Sequence, residues 1–176
     1  RYYDYGLSQP QDQAEACRWY QKAADTGYAP AMCDLGVCYE RGEGVEQSFE
    51  KAVELYRRAA DRGNPPGQCV LGYLYEIGRG VEQSWTEAVR WYKAAAEQGF
   101  PRAMCNLAWC YENGKGVDEN VTRALNWYRK AAERGDPRGM FCVGYYYKRG
   151  QGVEQDLQTA VTWYKKSAEA GFPQAM

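Results

Sequence analysis

The sequence predicts an all-α solenoid of stacked antiparallel helix pairs with a 36-residue repeat. Three observations carry that prediction. Gly-x-Gly-Val recurs at Gly42, Gly78, Gly114 and Gly150 without insertion or deletion. Ala52, Ala88, Ala124 and Ala160 keep the same step, as do Tyr56, Tyr92, Tyr128 and Tyr164, and Gly63, Gly99, Gly135 and Gly171. Each copy also holds two apolar stripes at helical spacing. A fixed period of a few tens of residues marks units that bury their apolar faces only against their neighbours.

Residues 28–63 show how one unit is built. Ala31, Leu35, Cys38 and Tyr39 fall at i, i+4, i+7 and i+8, one face of a first helix. Its start is clearest in the copies Asn64-Pro65 and Asp136-Pro137, an N-cap followed by proline at the first helical position. Gly42 ends the helix as a residue free to take positive φ, and Gly44 allows a second bend. Val45, between the helices, is expected to plug the gap they leave. Ser48, Ser84, Asn120 and Asp156 share one position, and all four are good N-caps. A second stripe follows at Phe49, Ala52, Val53, Tyr56, Ala59 and Ala60, and Gly63 closes it. Gly36, Gly72, Ala108 and Gly144 lie inside the first helix, where glycine costs about 1 kcal/mol relative to alanine. Their recurrence predicts close approach of a neighbouring helix.

The same phase divides the whole chain, read as one solenoid domain over 1–176. It gives a partial repeat at 1–27, full repeats at 28–63, 64–99, 100–135 and 136–171, and the start of another at 172–176. Tyr3 precedes Tyr39, and Gly6 precedes Gly42, by one period, while Ala175-Met176 stands where a first helix begins. The chain therefore reads as a piece of a longer array.

Composition narrows the function classes. With 22 basic and 23 acidic residues the formal charge is -1, which gives no general attraction to nucleic acid or anionic membrane. No apolar run reaches the roughly 20 residues of a membrane-spanning helix, so no membrane insertion is expected. The seven cysteines include Cys33, Cys69 and Cys105 at one repeat position and Cys38 and Cys110 at another. Cys33 and Cys38 point about 140° apart on one helix and cannot bridge within it. Two readings stand: reduced packing residues, or disulfides of an oxidising compartment.

No catalytic set emerges. The chain has no histidine, so the usual general base and the familiar serine or cysteine triads are missing. No metal or cofactor site is expected. Glu40, Glu76 and Glu112 form a ladder at roughly 10 Å steps, too wide for a carboxylate pair, and read as a solvated helix edge. The Gly-x-Gly-Val loops join helix to helix, and Lys115 is not followed by serine or threonine, so the phosphate-loop pattern is absent. Tyr39, Tyr56, Trp91, Trp127, Trp163 and their repeat equivalents read as core or near-core.

The unit Ala-x-x-x-Leu-Gly-x-x-Tyr, Gly-x-Gly-Val, Ala-x-x-x-Tyr-x-x-Ala-Ala, closing on Gly, resembles the Sel-one-like repeat, a relative of the tetratricopeptide repeat. The resemblance implies a right-handed superhelix and adaptor or scaffold work without intrinsic catalysis. Some cysteine-rich relatives bridge a cysteine near the end of each second helix to the first. Here those places hold Ala60, Ala96, Ala132 and Ala168, so that bridge cannot form. Free thiols and a cytoplasmic location are the expectation.

By resemblance to tetratricopeptide arrays, the varying first-helix positions line a concave groove. They run from Pro30, Cys33, Asp34, Val37, Glu40 and Arg41 to Arg138, Phe141, Cys142, Tyr145, Lys148 and Arg149. Tyr73, Trp109 and Tyr145 form an aromatic ladder, flanked by Arg102, Asn106, Asn113, Arg138, Lys148 and Arg149. Exposed aromatics with arginine and asparagine are typical interface anchors. The expected ligand is a protein or peptide with an acidic portion toward Arg138, Lys148 and Arg149. Two alternatives are an enzyme of the β-lactam-binding or hydrolysing type linked to cysteine-rich relatives, although no Ser-x-x-Lys motif is present, and a structural spacer.

Overall fold

The computed structural model describes residues 10–173, and among them every regular element is an α-helix. In chain order these are α1 (Pro10–Asp25), α2 (Ala29–Arg41), α3 (Phe49–Asp61), α4 (Pro65–Ile77), α5 (Trp85–Glu97), α6 (Pro101–Asn113), α7 (Val121–Glu133), α8 (Pro137–Arg149) and α9 (Leu157–Glu169). The expected starts at Tyr3 and Gly6, and at Ala175-Met176, lie outside the described residues. The helices form two compact units that divide between Ser84 and Trp85, with α1–α4 in the first and α5–α9 in the second. Within each unit, consecutive helices pack on one another, and successive first helices also touch, α2 with α4 and α6 with α8.

The helix boundaries follow from the capping chemistry. Ser48 accepts a hydrogen bond from the Lys51 N–H at 3.2 Å, and Asn120 from that of Arg123 at 2.8 Å. Asn64 and Asp136 do the same for Gly67 and Gly139, both at 2.8 Å. Each satisfies one of the donors a helix start leaves unpaired. α2 and α6 instead start from Tyr28 and Phe100, which supply no side-chain cap.

The Gly-x-Gly-Val loop has a packing cause. The first glycine takes positive φ and returns its N–H to the helix, as Gly42 does to the Cys38 carbonyl at 2.8 Å. The second lays the loop on the first turn of the preceding second helix. A Cβ on Gly80 would stand 2.9 Å from the Phe49 carbonyl oxygen, and one on Gly116 would overlap the Trp85 carbonyl. Gln47, Gln83 and Gln155 then tie the loop back, donating to the Glu40, Glu76 and Lys148 carbonyls at 2.7–2.8 Å.

The glycines inside the first helices make room for the second-helix tyrosine. A Cβ on Gly36 would lie 2.8 Å from the Tyr56 ring, and one on Gly144 2.9 Å from the Tyr164 ring. The core of the first unit gathers Cys17, Ala24, Met32, Leu35, Cys38, Leu55 and Ala59, with Val45 packed against it as the sequence suggests. In the second unit Met104, Leu107, Cys110, Leu125, Val143 and Tyr146 are buried, and the Tyr128 and Tyr146 rings meet at 5.7 Å.

Two expectations need correction. The glutamate ladder is not a solvated edge: Glu40 and Glu112 are half-buried and accept the Tyr56 and Tyr128 hydroxyls at 3.2 and 3.0 Å. Burial foremost, and then the neighbouring carboxylate, pushes the Tyr56 phenol up; Tyr128 moves the same way, with Cys142 adding to burial and Glu112. Trp91 is buried, and Trp127 and Trp163 are partly buried, with Lys130 and Lys166 over their rings at 4.2 and 4.5 Å. Cys69 and Cys105, placed among the groove positions, are buried.

Candidate functional site

The first-helix face of the second unit is built from α6 and α8. Arg102, Asn106, Trp109 and Asn113 fall at i, i+4, i+7 and i+11 and share one stripe of α6. Trp109 is 40% exposed. One side of it rests on Trp85, the first residue of α5, with ring centroids 5.7 Å apart and planes inclined at 32°. The Lys115 ammonium lies 5.8 Å from the Trp85 ring. The result is a braced aromatic surface beside a cation. In the first unit Tyr73 on α4 holds the equivalent position and is 41% exposed. Phe49 stands where Trp85 does, with the Arg79 guanidinium 5.2 Å from its ring.

The polar candidates separate into two groups. Arg138 is half-buried and donates to the Arg102 carbonyl at 3.2 Å and to Asn106 Oδ1 at 2.9 Å, fastening α8 to α6. The Asn113 amide donates to the Trp109 carbonyl at 2.9 Å and steadies the last turn of α6. Arg149 donates to the Tyr145 hydroxyl at 3.2 Å, and its guanidinium lies 5.6 Å from that ring. Tyr145 is half-buried and sits edge-on to Tyr146 at 6.5 Å. Arg102, Lys148 and Arg149 are exposed cations. Arg138 and Asn106 thus build the face, while Trp109, Arg102, Lys148 and Arg149 present chemistry to solvent.

Sequence reasoning passed over Trp85, because the first position of a second helix reads as core, and over Arg138 as a fastener. The only signal for the second is a long donor two residues after the Asp136 cap. It also passed over an open cleft of about 730 Å³ beside the α6–α7 loop, lined by Tyr111, Gly114, Gly116, Val117, Asp118, Asn120 and Arg123. Arg123 stacks over Tyr111 at 5.7 Å there, and Asn120 is committed to capping α7.

All seven cysteines are free thiols. Cys33 donates to Asn64 Oδ1 and Cys105 to Asp136 Oδ1, both at 3.3 Å. Each thiol thereby meets the N-cap of the next first helix. Burial, with a smaller contribution from Asp34, pushes Cys33 up to about 12, and burial with Glu112 pushes Cys142 up to about 11. Such thiols are poor nucleophiles. Among the described residues no group of three or more His, Cys, Asp or Glu could hold a metal ion, and no helix is long and apolar enough to cross a membrane.

Comparison with known proteins gives this architecture its relatives. The family model for the Sel1 repeat matches residues 1–28, 29–64, 65–100, 101–136 and 137–172. A Sel1 repeat protein from Oxalobacter formigenes is 36% identical, with a TM-score of 0.86, over 92% of this chain and 64% of that one. The protective antigen c5321 of uropathogenic Escherichia coli, which displays an SLR fold, is 37% identical, with a TM-score of 0.87, over 90% of this chain and 34% of that one. The immunity protein Pa5087 of Pseudomonas aeruginosa is 25% identical, with a TM-score of 0.64, over 96% and 62%. The chain thus spans less than two thirds of the length of each of these structures. No curated protein sequence matches it.

Proposed function

The chain belongs to the Sel1 repeat family, whose members are generally protein-interaction scaffolds, and on that premise we propose that it is a non-catalytic scaffold binding an acidic peptide segment on the first-helix face of its second unit. Trp109 is the anchor, and Arg102, Lys148 and Arg149 receive the carboxylates. The observation that carries this reading is the brace beneath Trp109. A large ring left 40% open yet held by Trp85 is already ordered, so a partner that covers it loses little side-chain entropy. Tyr73 serves the first unit in the same way. The unpaired cysteines fit a reducing compartment such as the cytoplasm.

The size of the anchor follows from its exposure. An aromatic side chain of about 250 Å², 40% open, offers about 100 Å² to a partner. At about 25 cal/mol/Å² that is about 2.5 kcal/mol, or about seventyfold in affinity. The test is an array of acidic, neutral and basic peptides probed with the whole chain, followed by titration of the best binder. Trp109→Ala is expected to weaken it by that factor. Lys148→Glu with Arg149→Glu is expected to weaken it further, and added salt to do the same. Asn126→Ala, an exposed residue of α7, is the control. Acidic peptides that bind no better than basic ones, or a Trp109→Ala variant that binds like wild type, would sink the proposal.

A further inference from the structure

One pair of repeat positions, the fifth of a second helix and the tenth of the following first helix, holds two cysteines once. Across α3 and α4 the pair is Val53 and Leu74, across α5 and α6 it is Val89 and Cys110, and across α7 and α8 it is Leu125 and Tyr146, all of them buried. Across α1 and α2 it is Cys17 and Cys38, 3% and 9% exposed, in one core cluster with Leu35, Leu55 and Ala59. The Cys38 thiol lies within hydrogen-bonding reach of the Cys17 thiol. Cys17 also donates to the Glu43 carbonyl at 3.0 Å, and the Glu43 N–H returns to the Cys38 carbonyl at 3.1 Å. This short cycle of contacts holds the two sulfurs side by side. Cys33 and Cys105 instead turn their thiols to Asn64 and Asp136.

We propose that Cys17 and Cys38 are a redox pair, a site where a small hydroperoxide reversibly forms a disulfide joining α1 to α2. One thiol attacks the hydroperoxide, the O–O bond breaks, and a sulfenic acid forms as an alcohol leaves, or water where the oxidant is hydrogen peroxide. The second sulfur then attacks the first, the S–O bond breaks, and the oxygen departs as water with the second thiol's proton. The two sulfurs lose two electrons, and the hydroperoxide takes them up. Burial foremost, with the Cys17 thiol adding to it, pushes the Cys38 thiol up, so the first step is slow. The second step is intramolecular, because the partner sulfur is already alongside. Burial of both residues also sets the size of the oxidant: hydrogen peroxide reaches them where a bulky disulfide does not. This bridge differs from that of the cysteine-rich relatives, which starts near the end of the second helix, where α1 has Ala24. The site lies in the core of the first unit and is separate from the Trp109 face.

The experiment treats the whole chain, reduced and then freed of reductant, with hydrogen peroxide. The protein is denatured, its remaining thiols are alkylated, and they are counted and mapped by mass spectrometry. The count should fall from seven to five, return to seven with dithiothreitol, and the lost pair should map to one peptide linking Cys17 to Cys38. Cys17→Val and Cys38→Leu carry the residues that α3 and α4 already accept at these positions, so they keep the fold while removing the pair. Each should retain all of its remaining thiols under the same peroxide. Cys110→Leu, opposite Val89, should still lose two. The bridge closes a loop of about 20 residues, so the oxidised protein should melt at least about 5 °C higher and exchange its α1 amides more slowly. Retention of all seven thiols at a peroxide dose that oxidises a free-thiol standard overturns the proposal. So does a bridge between other cysteines or between two chains, irreversible sulfinic acid at Cys17 or Cys38, or an oxidised form that melts no higher than the reduced one.

Discussion

Asp136→Ala removes more than a helix cap, and the structure gives the size of the loss. Asp136 Oδ1 accepts the Gly139 N–H at 2.8 Å and the Cys105 thiol at 3.3 Å. Loss of a side-chain cap costs about 1 kcal/mol. Loss of the negative charge at the start of α8 adds about 0.5 kcal/mol through the helix dipole. The Cys105 thiol, buried and left without its acceptor, adds about 1 kcal/mol, the low end for an unmet buried donor because a thiol donates weakly. The sum is about 2.5 kcal/mol, a fall of about 5–10 °C in melting temperature for a chain of this size. Two comparisons isolate the cause. Asp136→Asn keeps both acceptor contacts, as Asn64 does with Gly67 and Cys33 in the first unit, and should lose less than about 1 kcal/mol. Ser48→Ala removes a cap with no thiol attached and should lose about 1 kcal/mol. Thermal and urea melts followed by circular dichroism measure all three. If Asp136→Ala proves no worse than Ser48→Ala, or Asp136→Asn as harmful as Asp136→Ala, the shared-acceptor reasoning is refuted.

Other outcomes follow from the same geometry. Cys33 and Cys142 have folded values raised to about 12 and about 11 from an ordinary 9.0, so their contribution to stability is fully present below about 9 and is lost as pH rises from there toward the folded values; melting temperature should fall through that window, and less so in a Cys33→Ala, Cys142→Ala double variant. In the folded protein at pH 8 a thiol reagent should react slowly, whereas after denaturation it should count all seven cysteines; fast native labelling of Cys105 would contradict its burial. Gly116→Ala should be destabilised by more than about 2 kcal/mol, since a Cβ must enter the Trp85 carbonyl at φ +70°; a melt within about 0.5 kcal/mol of wild type would show that the loop does not rest on α5 as described.

The fold was legible because its signals are local and repeated. Caps, closing glycines and stripe residues recur at fixed steps, so each was read several times over. The candidate face was legible only in part. Trp109 and Tyr73 could be placed on the outer stripe of a first helix by periodicity alone. That Trp109 leans on Trp85 could not be seen, because the two are joined by packing between different helices, and no spacing rule connects their side chains. Glu40 and Glu112 were misread for the same reason. A carboxylate at a helix edge looks solvated until the tyrosine hydroxyl of the following helix is placed against it. Arg138 reads from the sequence as a groove cation, but its donors are spent on Asn106 and the Arg102 carbonyl.

The bond between a thiol and the next helix's cap bears on where this protein can be cut and rejoined. Cys33 answers to Asn64 and Cys105 to Asp136, while at the same place Phe141 answers to Phe172, ring to ring at 5.3 Å. In these three cases the fifth residue of a first helix is matched to the residue 31 positions on, one repeat boundary later. A cassette running 29–64, 101–136 or 137–172 carries both halves of its match and can be transplanted or duplicated whole. One running 28–63 or 100–135 leaves a half behind and, in a shuffled array, sets a phenyl ring against a carboxylate or strands a thiol. The natural unit of exchange in this chain begins one residue after the cap, at the first residue of the helix itself.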